Sequence, residues 1–197
     1  MTRVVFASNN AGKVAEIDAM LAPTGYRVLP QSEWLVPEAE ETAPTFVENA
    51  LIKARHACAH TGLPAIADDS GLEVDALGGE PGIHSARYAG HHGDDAANNS
   101  LVLAELADTP EAERTARFRC VLVYLRHADD PAPVICQGVW EGLILRAERG
   151  AGGFGYDPLF WVPDQGCSAA ELPAETKNRL SHRGQALRGL VEALAAP

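Results

Sequence analysis

Three features of this chain predict an α/β fold built on a mixed sheet. Short apolar runs of strand character alternate with segments whose apolar residues recur at helical spacing. Two long strand-like stretches, Thr115 to Arg126 and Pro133 to Arg146, are joined by the turn Asp129-Asp130-Pro131 and are expected to pair antiparallel. The third feature is Ala65-Ile66-Ala67-Asp68-Asp69-Ser70-Gly71-Leu72, where an apolar run of buried-strand character meets two adjacent carboxylates, with Ser70-Gly71 read as the turn that ends it.

The remaining elements follow in order. Arg3 to Ala7 reads as a strand, Ser8-Asn9-Asn10 as a polar turn, and Ala11 to Leu21 as a helix carrying Val14, Ile17 and Leu21 on one face. Tyr26 to Pro30 is a second short strand, and Pro37 to Pro44 is an acidic connecting stretch with Glu38, Glu40 and Glu41. Thr45-Phe46-Val47-Glu48 has the form of a capping box, with a cap hydroxyl and an acid three residues later, and opens a helix to about His60. Gly78 to Gly82 is a loop, and Asp95 to Leu106 is helical. A glycine-rich segment precedes a short strand at Leu159 to Val162. Ser181 caps a last helix whose Leu187, Leu190, Val191 and Leu194 form one apolar stripe.

With 197 residues and 46% hydrophobic composition the chain can bury a core, as one domain over residues 1–197 with room for two lobes around a cleft. Sixteen basic against 27 acidic residues give a net charge of −11, and no basic run is present. A duplex-binding surface needs clustered cations, so no nucleic-acid partner is expected. No apolar stretch approaches membrane-spanning length, and Met1 to Phe6 enters a strand directly without a signal-peptide pattern. Cys58, Cys120, Cys136 and Cys167 form no C-x-x-C pair and read as reduced core residues, which fits a cytoplasmic protein.

Chemistry is concentrated in a few segments. Two acids at the end of a buried strand are costly without a cation, and Mg²⁺ holding a phosphate chain suits them. The competing reading is an acidic turn facing solvent, as expected for Asp94-Asp95 and Asp129-Asp130. Ser8-Asn9-Asn10-Ala11-Gly12-Lys13 lies at a strand-to-helix junction, where backbone N–H groups and the helix dipole suit a phosphate. Lys13 in the first turn opposes that dipole unless an anion binds beside it. The segment is not a P-loop, since Ala7 stands where the first glycine is required and Val14 where Ser or Thr is required.

The only lysines among 16 cations are Lys13, Lys53 and Lys177. A lysine is a compact charge that approaches phosphate oxygens without demanding a planar fork. Gly150 to Gly155 matches G-x-G-x-x-G formally, but two prolines and strand-like residues follow instead of a helix, so the dinucleotide reading fails. The better reading is a flexible loop presenting Phe154 and Tyr156 for stacking on a base, with Asp157 fixing the turn before Pro158; an aromatic hairpin covering the core is the alternative. His182 and Arg183 in a first helical turn again point to an anion or carbonyl partner, against a solvated polar turn. His56 with His60, and His91 with His92, lack the rest of a metal motif and read as structural or solvated.

Taken together these segments resemble the non-canonical purine NTP pyrophosphatases, the inosine and xanthosine triphosphate pyrophosphatase family. The resemblance runs nearly end to end. It covers Ser8 to Lys13, Glu40-Glu41-Thr42 with Thr45 to Ala50, Ala67 to Leu72, Pro81 to Tyr88, Gly153 to Pro158 and Ser181 to Gly184. It implies an elongated, two-lobed α/β fold with a long central mixed sheet flanked by helices, an active cleft between the lobes, and a homodimer. It also implies Mg²⁺-dependent hydrolysis of ITP, dITP and XTP to the monophosphate and pyrophosphate, cleansing the nucleotide pool.

By position, Asp69 matches the general base, and Glu41 with Asp69 the metal carboxylates, Glu40 and Asp68 lying next to them. Ser8, Asn9, Asn10, Ala11, Gly12 and Lys13 match the triphosphate loop, and Lys53 serves the leaving pyrophosphate. Ser70, Phe154, Gly155, Tyr156, Asp157, Lys177, His182 and Arg183 match substrate contacts. Two other readings remain open at this point: a pyrophosphatase of the same architecture for other modified nucleotides, and a nucleotide sensor without turnover.

Overall fold

A computed structural model describes residues 1–195. Seven strands form one sheet in the order β2-β1-β3-β4-β5-β6-β7. These are β1 (Thr2–Phe6), β2 (Tyr26–Pro30), β3 (Ala65–Val74), β4 (Thr115–Leu125), β5 (Val134–Ile144), β6 (Phe160–Val162) and β7 (Cys167–Ser168). The helices are α1 (Ala11–Leu21), α2 (Phe46–Thr61), α3 (Asp95–Glu105), α4 (Ala174–Leu180) and α5 (His182–Ala195). β1 pairs parallel with β2 and β3, while β5 with β6 and β6 with β7 are antiparallel, so the sheet is mixed as expected.

The described residues divide into two compact units, with β3, β4 and β5 each contributing to both. The first comprises residues 1–69, 120–137 and 185–195 and is a three-layer arrangement produced by strand alternation. Val4 and Phe6 of β1, Ile66 of β3 and Cys120, Leu122 and Tyr124 of β4 pack with Ile17 and Leu21 of α1 and Leu187 and Leu190 of α5. The intervening Val5, Ala65, Ala67, Val121, Val123 and Leu125 pack on the opposite face with Ala50, Ala54, Ala57 and Cys58 of α2. The small alanines of α2 let that helix approach the strands closely, which sets the depth of the residues it carries.

The second unit comprises residues 70–119 and 138–184. Its core gathers Leu72 and Val74 of β3, Val102 and Leu106 around α3, Phe118, Trp140 and Ile144 of the long strands, and Tyr156, Leu159 and Phe160. Arg114 is almost fully buried at 1% exposure, yet it has no carboxylate partner. Its guanidinium instead donates to the carbonyls of Leu106, Ile144 and Leu145, pinning the end of α3 to the end of β5.

Most element boundaries match the sequence reading. Asn10 caps α1, Thr45 and Glu48 cap α2, and the Ser181 hydroxyl accepts from Gly184 N–H at the start of α5. Three expectations need correction. β3 does not end at Ser70-Gly71; it continues to Val74, because Leu72 and Val74 extend the buried alternation beyond the polar residues. The helix α4 was absent from the sequence reading, its seven residues having no buried side chain to create a periodic stripe.

The third correction concerns Asp130, which does not face solvent in its turn. It is 1% exposed and accepts from the Arg126 guanidinium and from the N–H groups of Arg126 and Ala132, tying the β4–β5 connection together. The Arg126 side chain, and then these N–H groups, hold its carboxyl well below the usual carboxylate range. The folded chain therefore binds this proton more weakly than the unfolded chain. The resulting stability is present above about pH 3.9, the ordinary aspartate value, and is lost as pH falls toward the folded value. Asp130→Asn is expected to melt below wild type at pH 7, with the gap narrowing from pH 4 to pH 2. Thermal melts of both proteins across that range check it, and a gap that stays constant would remove the carboxylate's charge from the explanation.

Candidate active site

In the first unit the chemistry centres on Asp68 and Asp69. Both point from the middle of a strand, where they are 6% and 8% exposed. Two buried adjacent carboxylates demand compensating charge, and two lysines supply it. Lys13 Nζ donates to Asp68 Oδ2 at 2.9 Å. Lys53 Nζ, reaching from α2, donates to Asp69 Oδ1 at 3.1 Å and to Glu41 Oε1 at 3.2 Å. The anion that Lys13 was expected to need at the start of α1 is thus provided by the protein itself.

Burial raises the Asp69 carboxyl to about 6, with Lys53 opposing the rise and the Glu41 and Asp68 charges adding to it. Burial alone would lower Lys53, but Asp69, Asp68 and Glu41 outweigh it and keep the ammonium charged. The second oxygen of Asp69, Oδ2, is buried and accepts no hydrogen bond. An unpartnered buried carboxylate oxygen is costly unless a cation, a water or a substrate proton meets it.

The Ser8 to Lys13 segment is exposed or half-buried and closes on itself. Asn10 N–H donates to Ser8 Oγ at 3.2 Å, and Lys13 N–H donates to Asn10 Oδ1 at 3.0 Å. This leaves the first-turn amides of Ala11 and Gly12 at an exposed helix start, a place suited to anionic oxygen. Asn9 lies beside them at the exposed tip of the turn.

The donor set of the first unit fits Mg²⁺. Glu41, Asp68 and Asp69 carry one more negative charge than Lys13 and Lys53 neutralise, the ligand atoms are hard oxygens, and Asp69 Oδ2 lacks a partner. Among the described residues no three acidic, His or Cys side chains already converge as a cage. Mg²⁺ needs none, since it takes one or two carboxylates and completes its shell with water and phosphate oxygens.

The second unit carries the other predicted residues. Asp157, 3% exposed, is the hub of the glycine-rich loop: its Oδ2 accepts from Phe154 N–H at 2.8 Å and from the Lys177 ammonium. Phe154 is 58% exposed, with Lys177 Nζ 4.8 Å and Arg183 Cζ 5.5 Å from its ring centre. His182 is buried and stacks on Phe118 at 4.8 Å with the rings 15° apart, so its imidazole has a fixed plane. Ser70 is half-buried on β3, next in sequence to Asp69.

Tyr156 is the residue the loop reading misplaced. It is 4% exposed, belongs to the core, and donates its hydroxyl to the Ser85 carbonyl at 2.8 Å. Of the two aromatics only Phe154 is presented to solvent. Tyr156 instead anchors the loop, and Ser85 in turn accepts from Leu72 N–H at 2.8 Å. Sequence reasoning gave Ser85 no role of its own beyond the resemblance, read Asp95 only as part of an acidic turn facing solvent, and passed over Asn99. The last two occupy i, i+4 positions on α3, and their placement on one helix face was the available signal. The histidine pairs remain structural or solvated. The ring centres of His56 and His60 lie 4.2 Å apart with the planes tilted by 47°, and each bonds a backbone carbonyl, while His91 and His92 are exposed.

A lysine-held acid cluster in the first unit and, in the second, an exposed aromatic ring beside two cations are each features that suit a nucleotide. Comparison with known proteins agrees: the sequence model of the Ham1 family matches residues 4–193, and the chain belongs to that family. It is 62% identical over 192 residues to a dITP/XTP pyrophosphatase of Thioalkalivibrio sulfidiphilus, covering 98% of both chains. It is 57% identical over 194 residues to a dITP/XTP pyrophosphatase of Vibrio cholerae, covering 98% of this chain and 97% of that one. Among solved structures, a HAM1 protein from Coxiella burnetii superposes with a TM-score of 0.95 at 50% identity, over 98% of each chain. A dITP/XTP pyrophosphatase from Mycobacterium abscessus gives 0.80 at 44% identity, over 96% of this chain and 98% of that one.

Gly153 shows how tightly the loop is built. Its φ is +76°, and a Cβ there would lie 2.2 Å from Asp157 Oδ2, the atom that orders Phe154 and Lys177. Gly153→Ala is expected to cost at least about 1 kcal/mol from the left-handed backbone alone, and more from displacing Asp157. A melting temperature equal to wild type would refute this.

Proposed function

We propose that the chain hydrolyses non-canonical purine nucleoside triphosphates, dITP, ITP and XTP, to the nucleoside monophosphate and pyrophosphate, and so clears deaminated purines from the nucleotide pool. Buried Asp69 carries the reading, with Lys53 on one oxygen and no partner on the other. The dITP/XTP pyrophosphatase names of relatives 57–62% identical support the substrate class.

Release of pyrophosphate in one step requires attack at the α-phosphorus. Asp69 accepts a proton, directly or through an intervening water, as water forms the new P–O bond, and the bond to the bridging oxygen of the pyrophosphate breaks. Lys53 and Lys13 stabilise the charge gathering on the leaving group, and the Ser8 to Gly12 turn donates backbone amides to its oxygens. Glu41 and Asp69 would hold Mg²⁺, which when bound supplies charge neutralisation of the phosphate oxygens. The exposed Phe154 ring offers a stacking face for the purine. His182, Arg183 and Lys177 are donors suited to the ring carbonyls of hypoxanthine and xanthine, where adenine presents a donor of its own. Mg²⁺ dependence rests on the oxygen donor set. A homodimer rests on the family resemblance, and a cytoplasmic location on the four cysteines that form no C-x-x-C pair.

Asp69→Asn keeps the shape and removes the base, so turnover of ITP is expected to fall at least about 10²-fold; near-normal turnover would take Asp69 out of the mechanism. The products identify the bond cleaved. Pyrophosphate with IMP is expected, in a reaction stopped by chelator and restored by Mg²⁺, whereas free phosphate with IDP would mean attack at the terminal phosphorus. In a panel of ITP, XTP, GTP and ATP, His182→Ala is expected to narrow the preference for ITP over ATP by about tenfold, the size of one donor mismatch. Unchanged selectivity would exclude His182 from base recognition.

A further inference from the structure

The glycine-rich loop is held at Gly155 by α3, a helix to which no role in the reaction has been given above. Gly155 N–H donates to Asp95 Oδ2 at 2.7 Å, and Gly155 C=O accepts from Asn99 Nδ2 at 3.2 Å. Asp95 and Asn99 are one helical turn apart on one face of α3, so both polar edges of a single loop residue are gripped by one rigid element. Asn99 Nδ2 also donates to Glu148 Oε1 at 2.9 Å, reaching the chain just before the glycines begin. The helix itself is anchored: Asp94 caps its N-terminus, and buried Arg114 holds the Leu106 carbonyl at its other end.

Packing holds the loop where Gly150 and Gly152 lie against Ala170, but not at Gly155, where a Cβ would meet nothing within 4 Å. On the α3 side the loop borders a hollow of about 330 Å³ lined by Asp95, Asn99, Glu148 and the glycines themselves. At Gly155 the position of the loop is therefore set by hydrogen bonds, and Gly155 is adjacent to Phe154. The φ of +59° at Gly155 lets one residue aim its amide and carbonyl at the helix.

We propose that Asp95 and Asn99 are positioning residues for purine binding. By clamping Gly155 they fix where the Phe154 ring is presented, without themselves touching substrate. This rests on the reading of Phe154 as the face on which the purine stacks. Order in the loop is then kept before substrate arrives, so the ordering entropy is not charged against binding.

The test compares Asp95→Ala with Asp95→Asn, which loses the charge but keeps an oxygen able to accept from Gly155 N–H, and adds Asn99→Ala as a second, independent break in the clamp. With ITP as substrate, Asp95→Ala and Asn99→Ala are expected to raise KM by a factor of about 2 to 12, the size of one net hydrogen bond, with kcat within twofold of wild type. Asp95→Asn is expected to restore the wild-type KM. Exchange of the Gly155 amide, followed by NMR without substrate, should quicken in Asp95→Ala and not in Asp95→Asn. Unchanged KM in both alanine variants, or unchanged Gly155 exchange in Asp95→Ala, overturns the clamp. A fall in kcat without a rise in KM also overturns it, since that marks general destabilisation. Wild-type turnover of ITP reports separately on the function: an inactive wild type overturns the functional reading and the clamp's link to purine with it, whereas an active one with indifferent variants overturns the clamp alone.

Discussion

The first unit depends on one electrostatic constraint: two adjacent carboxylates sit within a buried strand and must be matched by cations that stay charged. Isolated carboxylates at this depth would protonate or force the strand apart. Lys13 and Lys53 prevent that from two different helices, one from the first turn of α1 and the other from the middle of α2. Each lysine has to be delivered by a helix docked against β3 and its neighbours. The alanine face of α2 and the apolar face of α1 are therefore part of the electrostatic arrangement as well as of the core. Compensation is incomplete: Glu41 shares Lys53 with Asp69, and one oxygen of Asp69 is left with no partner. A fully neutralised cluster would be more stable and less able to accept a proton or a cation.

The second unit solves a different problem, the presentation of an aromatic ring to solvent from a loop of glycines. Packing holds only part of such a segment, where Gly150 and Gly152 lie against Ala170. Polar anchors supplement it: Gly152 N–H on the Ala170 carbonyl, Asp157 at Phe154 N–H, Tyr156 hydroxyl on the Ser85 carbonyl, and the α3 face at Gly155. The glycines are then required by the anchors, since a side chain at Gly153 would occupy the place of the Asp157 carboxylate.

Much of this was legible in the sequence, and the misses share a cause. The caps of α2 and α5 could be read because a capping side chain bonds within its own turn. The sheet's mixed character followed from the alternation of apolar runs. Asp68 and Asp69 stood out because acids rarely follow a run such as Ala65-Ile66-Ala67 unless something compensates them. What could not be read depended on partners far away in the chain. The continuation of β3 through its acids required Lys13 and Lys53 to be in place. Asp130 resembled a solvated turn residue until Arg126 folded back onto it, and Tyr156 resembled its exposed neighbour Phe154 until the core closed around it. Asp95 and Asn99 carry no motif, and their partner is the backbone of a glycine about 60 positions away.

The division of labour between lysine and arginine follows from the same physics. All three lysines lie on carboxylates: Lys13 on Asp68, Lys53 on Asp69 and Glu41, Lys177 on Asp157. Several arginines serve where planar multi-point donation is useful, as in Arg114 spanning three carbonyls or Arg117 bridging Asp75 and Glu141 on the sheet surface. A point charge on a flexible stem can leave one oxygen for another at little geometric cost, whereas a guanidinium committed to a fork gives up two bonds together. A triphosphate tail brings its own oxygens, so cations that must turn from carboxylate to phosphate during a reaction cycle are better drawn as lysines. On the proposed function the resting ion pairs do two things at once: they keep buried acids charged, and they hold the ammonium groups where phosphate oxygens would compete for them.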